Sequence, residues 1–243
     1  MKFFSLCFFL FSLFISCSSS ELTAEAPIDN HSFYRLVDLG YDLDARNAAN
    51  PYDDVGQVHN ELLLTYYYAD SLPSTFNGIV TTLTSIANNN SSFTDLHKNV
   101  PYEFSNAAEN RVLAIMTEQD SCLTAVIDSS VVGQVARDSL DDFVHDFLDL
   151  CDTEEDYSVI YDYVVAYEDA VLKLTWSAED KRVVLITTTV ARHSAYAKKK
   201  RPKKNKDPDW SYLVWNIIAT IDGADEGEAE AVMRGLVAGV VEN

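Results

Sequence analysis

The apolar residues Leu140, Phe143, Val144, Phe147, Leu148 and Cys151 stand at i, i+3, i+4, i+7, i+8 and i+11. That spacing lines one stripe of an α-helix and scatters over both faces of a strand. Ile160, Tyr163, Val164, Tyr167, Val171 and Leu174 repeat it, and Val58, Leu62, Tyr66 and Ala69 share a face of a helix beginning near Val55. Further helices are expected from about Ser74, behind Pro73, to Ala87, where Asn88-Asn89-Asn90 breaks the period, and from Ala107 to Ile127. Ser177-Ala178-Glu179-Asp180 has the form of a capping box that opens another helix. Its middle, Val183 to Val190, is rich in β-branched residues and could locally be a strand, yet its flanks favour helix and no partner strand is visible. Trp210 to Ile221 and Glu226 to Val241 complete the set. The expected fold class is all-α: a bundle of about seven or eight helices in one domain spanning 51–243, with a basic, proline-containing loop at 198–209.

The bundle does not start at the N-terminus. Lys2 precedes an apolar or small-residue run from Phe3 to Ile15. The run suits a signal-peptide core and falls short of the roughly 20 residues a helix needs to cross the hydrocarbon layer. Residues 1–16 therefore read as a signal peptide. Ser16 stands directly before Cys17, and Ser18-Ser19-Ser20 follow; the arrangement resembles a bacterial lipobox, whose cysteine is acylated with chains such as palmitate and becomes the new N-terminus. Phe14 occupies the place of the usual leucine, and ordinary cleavage near Ser18 or Ser20, giving a secreted chain, is the competing reading. Acyl chains would anchor the protein, since each buried methylene adds about 0.8 kcal/mol. Residues 17–50 read as the lipidated Cys17 with a flexible tether and lead-in. The lead-in ends in Asn50-Pro51-Tyr52-Asp53-Asp54, a turn where proline presets φ and an Asp can cap the first amides.

Charge narrows the partners. The chain carries 38 acidic against 18 basic residues, and seven of the basic ones crowd into Lys198–Lys206. Such a body repels nucleic acid and anionic lipid. The basic run reads as a solvated loop, with docking on an anionic surface such as lipopolysaccharide as the alternative. Cys7 leaves with the signal peptide and Cys17 is taken by lipid. Cys122 and Cys151 remain, either paired as a disulfide in an oxidising compartment or buried as thiols on apolar helix faces.

Candidate chemistry is sparse. Asp53, His59, Asn60 and Glu61 form a polar cluster in which His59, with Asp53 or Glu61, could act as a general base or metal ligand. A histidine without a partner motif more commonly holds a structural hydrogen bond, and that is the favoured reading. Asp142, His145, Asp146 and Asp149 share a face with the carboxylate-x-x-His spacing of di-iron bundles, but lie opposite the Leu140–Phe143–Phe147 stripe and have no second pair. They read as a solvated face. Asp222 to Glu228 lacks EF-hand spacing and joins two helices. There is no Gly-x-Ser-x-Gly, P-loop, dinucleotide fingerprint, Cys-x-x-Cys or His-Glu-x-x-His. No cofactor is expected.

Asn50-Pro51-Tyr52-Asp53, Val55-Gly56 and His59-Asn60, with Glu179-Asp180-Lys181, Thr188 to Tyr196, Asp209-Trp210 and Asp222-Gly223-Ala224, resemble a family of uncharacterised Bacteroidetes-type exported proteins and lipoproteins. The resemblance implies origin and location and brings no catalytic residues. The expectation is a lipid-anchored protein of the cell envelope, at the outer membrane, with a non-enzymatic binding or structural role and an unknown envelope partner. The alternative is a metal-assisted or acid/base enzyme using His59 and nearby carboxylates. A secreted glycoprotein is a third reading, from the sequons at Asn30, Asn89 and Asn90.

Overall fold

The computed structural model describes residues 45–69, 71–117, 122–200 and 210–241. The expected signal peptide, Cys17, the tether up to residue 44 and residues 201–209 of the basic segment lie outside the described residues. Among the described residues there are ten helices and no strand. They are α1 (Asp53–Tyr67), α2 (Phe76–Asn88), α3 (Ser91–Leu96), α4 (Asn106–Thr117), α5 (Cys122–Ser130), α6 (Gln134–Thr153), α7 (Tyr157–Lys173), α8 (Ala178–Lys200), α9 (Trp210–Glu226) and α10 (Glu228–Val241).

The all-α expectation holds, and the helical stripes find their partners. Leu140, Phe143, Val144, Phe147 and Cys151 of α6 are buried, as are Ile160, Val164 and Val171 of α7. The ring of Phe143 stacks on Tyr167 at 4.5 Å between centroids. On α1 the buried face runs through Val55, Val58, Leu62, Leu63 and Tyr66. Ala69 falls past the helix end and is exposed.

The centre of the bundle is a layer of helices enclosed on every side. All residues from Val183 to Ala197 in α8 and from Ala231 to Val240 in α10 are buried. A helix buried all round needs neighbours all round. Helix α8 packs against α1, α7 and α9, and α9 pairs along its length with α10. The α9–α10 connection is the single residue Gly227, at φ +150, a conformation side chains rarely adopt. The two helices then close tightly, with backbone of Glu230 and Ala231 lying where a Cβ on Gly223 would be.

Val183 to Val190 is helix, as its flanks favoured over a local strand. Enclosed by other helices, it has no strand to pair with, and threonine hydroxyls return to the helix, Thr187 Oγ1 donating to the Val183 carbonyl at 2.8 Å. The helix expected over 107–127 is two helices, α4 and α5. Helix α4 lies against α10 and α9, whereas α5 lies against α9 and α6, and one straight rod cannot serve both. Ser177 caps α8 by accepting from the Asp180 amide at 2.9 Å, but the Asp180 carboxylate does not close a capping box. It reaches across to accept from the Val132 amide at 2.8 Å. Helix α8 runs on to Lys200, so the first three residues of the expected basic loop are helical. Cys122 and Cys151 are buried and neither is in a disulfide. Burial pushes the Cys151 thiol up to about 12.

Candidate functional site

The chain enters the bundle through a turn whose side chains point inward. Asn50 Oδ1 accepts from the Tyr52 amide at 2.9 Å, closing an Asx turn that starts α1. Asp53 was expected to cap the first amides, yet α1 starts from Tyr52 with no side-chain cap. Its carboxylate faces α8 instead. Arg192 Nη2 donates to Asp53 Oδ1 at 2.6 Å, and His193 Nε2 lies 3.5 Å from the same oxygen. Arg46 Nε, from the lead-in, approaches Asp53 Oδ2 at 3.5 Å. Burial alone would raise the Asp53 carboxyl, but the neighbouring His193 and Arg192 outweigh it and hold the group far below the usual carboxylate range.

Glu168 of α7 is the second anion. It is 0 % exposed. Its Oε1 accepts from Asn50 Nδ2 at 2.8 Å, Thr188 Oγ1 at 2.9 Å and Arg192 Nη2 at 3.4 Å. Its Oε2 accepts from Asn47 Nδ2 at 2.7 Å. One carboxylate thus ties the lead-in, α7 and α8 together. Arg192, also 0 % exposed, sits between the two anions with its guanidinium 5.9 Å from the Tyr161 ring centroid. Buried charge is tolerated only when paired and hydrogen-bonded, and this network supplies both conditions for its anions.

Close approach of α1 and α8 makes the network fit. A Cβ on Gly56 would lie 2.6 Å from the Thr189 carbonyl oxygen and 2.7 Å from His193 Cδ2. Only glycine allows this spacing.

The expected cluster of Asp53, His59, Asn60 and Glu61 does not form one site. Asp53 belongs to the arginine network. Glu61 turns away, accepting from Gln57 Nε2 at 2.8 Å and from Asn90 Nδ2 at 3.3 Å. Asn60 keeps its buried Oδ1 without a hydrogen-bond partner. His59 is 0 % exposed and faces Asn216 of α9 and His193 of α8, away from any carboxylate named for the expected pair. Neither ring nitrogen makes a hydrogen bond of good geometry. Burial first, and the like-signed His193 second, bring its pKa down to about 3 despite Asn216. His193 is lowered for the same first reason, against the pull of Asp53.

Two further polar features lie away from this network. Arg234 of α10, 2 % exposed, donates to Asp222 at 2.5 Å and Glu230 at 3.0 Å and pairs with Glu226 at 2.7 Å. Arg111 of α4 also binds Asp222, and Tyr102 Oη donates to Glu230 at 3.0 Å. Burial alone would lower Arg234, but Glu226 and Asp222 outweigh it and keep it raised. On the outside, a groove of about 460 Å³ between α5 and α6 is lined by Asp128, Arg137, Asp138, Asp141 and Asp142, among others. His145, Asp146 and Asp149 are exposed, in line with the solvated-face reading. Among the described residues, no group of three or more His, Cys, Asp or Glu is placed to hold a metal ion, and no helix is long and apolar enough to cross a membrane.

Glu168, Arg192 and Thr188 were not among the expected site residues. Glu168 alone had a signal: it stands at i+8 from Ile160, on the apolar stripe of its own helix, where a charge is costly unless matched. Comparison with protein-family models, with curated proteins and with solved structures finds no match to this chain.

Proposed function

We propose that the chain is a lipid-anchored, all-helical protein of the cell envelope, held at the outer membrane through Cys17, whose body serves a non-enzymatic binding or structural role toward an envelope partner. The observation that carries the second half is where the reactive groups lie. Asp53, Glu168, Arg192, His193 and His59 are all buried. The anions are engaged by Arg192 and by amides of the lead-in, so their polar capacity is directed at holding α1, α7 and α8 together. A substrate would reach them only by displacing the lead-in or a helix. The alternative, acid/base or metal-assisted chemistry at His59, draws on its lowered pKa and on the lack of a good hydrogen bond at either nitrogen.

Metal analysis of the purified mature protein and of His59→Ala separates the two. The structural reading expects no stoichiometric metal in either protein. Stoichiometric zinc or iron that disappears in the variant refutes it. The anchor is tested by mass spectrometry of the mature N-terminus. An acylated cysteine at position 17, lost in Cys17→Ser, is expected; a free amine at Ser18 or Glu21 without acyl mass refutes it.

A further inference from the structure

The buried polar atoms that make no hydrogen bond are not spread evenly. Asp53 Oδ2, both ring nitrogens of His59, Nε and Nη1 of Arg192 and Nε2 of His193 are among them, all at the seam where α1 meets α8. Unmatched buried polar groups mark places where the closed state is under-satisfied. The seam also has no room to adjust, because Gly56 places α1 against Thr189 and His193 at contact distance.

We propose that the α1–α8 seam is an acid-operated latch, in which protonation of His59 and His193 separates α1 and its lead-in from α8 while the α9–α10 hairpin stays closed. The charges facing the two imidazoles decide the sign. From the N-terminal side come Asp53 and the half-exposed Arg46, and from α7 come Glu168 with Tyr157 and Tyr161. Helix α8 itself adds Arg192, and α9 adds the neutral Asn216 with Tyr212 beside it. Both carboxylates already serve Arg192, so a proton on His59 meets a like charge on that side and no anion of its own; His193 has Asp53 at 3.5 Å, but burial outweighs that pull. Burial disfavours the charged ring in the closed seam, while an opened seam lets water solvate it. The hairpin of α9 and α10 contains no histidine and is held by backbone contact and by Arg234, so mild acid places no buried imidazolium there.

A closed-state value of about 3 for His59, against 6.5 when solvated, makes opening roughly 30-fold more favourable at pH 5.0 than at pH 7.5 for that ring alone. Hydrogen exchange with mass spectrometry on the full chain reads this directly. After correction for intrinsic exchange, amides in 53–67 and 183–197 should lose at least tenfold protection between pH 7.5 and 5.0, and those in 231–240 should not. His59→Gln with His193→Gln should abolish the difference. Unchanged protection of α1 in the unmodified chain, or an equal loss in α10, overturns the proposal. Should the double variant fail to fold, NMR titration of imidazole Cε1–H signals in the unmodified protein decides it. Two histidines that stay neutral until helical contacts are lost support the latch. All histidines titrating near 6.5 with the fold intact overturn it.

Discussion

Replacing Glu168 with glutamine keeps the shape of the side chain and removes its charge, which isolates what the carboxylate does. Oε1 accepts from Asn50, Thr188 and Arg192, and Oε2 accepts from Asn47. An amide has one acceptor oxygen, so its NH2 must face a donor in either orientation. The better choice keeps oxygen toward the three donors and sets NH2 against Asn47 Nδ2, 2.7 Å away in the native contact. Asn47 cannot turn over freely, because its Oδ1 accepts from the Ala49 amide at 3.1 Å. One buried donor is then unmatched, at about 1–3 kcal/mol. Arg192 retains only Asp53 as its buried counterion, and removal of one partner from such a pair costs about 3–5 kcal/mol when the loss is complete. Because Asp53 still compensates Arg192, the expected total for Glu168→Gln is about 3 kcal/mol. With a urea slope of about 2 kcal/mol per molar, the unfolding midpoint should fall by about 1.5 M at an unchanged slope. A midpoint shift below about 0.5 M would show that Glu168 is not the tie between the lead-in, α7 and α8, and would refute the reasoning.

Gly56→Ala should destabilise by about 1–3 kcal/mol through overpacking, since a backbone carbonyl is among the atoms a Cβ would meet; a thermal midpoint within a degree of the native value would contradict it. Global stability should fall in acid in two windows. His59, lowered from 6.5 to about 3, contributes stability that is complete above pH 6.5 and is lost as pH drops toward 3, by about 1.4 kcal/mol per unit. Asp53, lowered from 3.8, contributes stability present above that value and lost below it; urea midpoints measured from pH 8 to 3 for the native chain and His59→Gln should therefore diverge below pH 6.5. Arg234→Ala should cost about 3–5 kcal/mol by leaving Asp222 buried with only the half-exposed Arg111 as partner, read by calorimetry as a lower, still cooperative transition. Cys122 and Cys151, both buried, should react with a thiol reagent only when urea unfolds the chain; fast native-state labelling would show that α5 or α6 opens locally.

Helices whose neighbours lie on one side were legible from their period. Helix α6 buries Leu140, Phe143, Val144, Phe147 and Cys151, the stripe read from spacing alone. Central helices were harder, because a rod enclosed on all sides has no polar face to give it a period. That is why Val183 to Val190 admitted a strand reading, and why α9 extends to Glu226, past the expected end at Ile221. The turn between α2 and α3 shows a different limit. Asn88-Asn89-Asn90 does end α2, but Asn90 at once accepts from the Phe93 amide at 2.8 Å and caps a short helix that no hydrophobic stripe announced.

The buried network was half visible for a similar reason. Asp53 and His59 drew attention because they sit together in a polar segment, and adjacency in sequence is what such a reading detects. Their partners lie over 130 positions away, in a stretch whose threonines and apolar residues conceal Arg192 and His193. Nothing local says which carboxylate answers that arginine. Glu168 was the available clue, since a charge on the buried stripe of α7 demands a buried counterion. Only Arg46, Arg111, Arg192 and Arg234 meet buried carboxylates among the described residues, and of these Arg192 alone bridges two. A charge that interrupts an apolar stripe is thus a stronger pointer to an internal network than a cluster of polar residues in a turn. Applied to α10, the same rule singles out Arg234 between Val232 and Leu236, and there the structure places two of its three carboxylates, Asp222 and Glu226, on α9 and the third, Glu230, one helical turn back along α10.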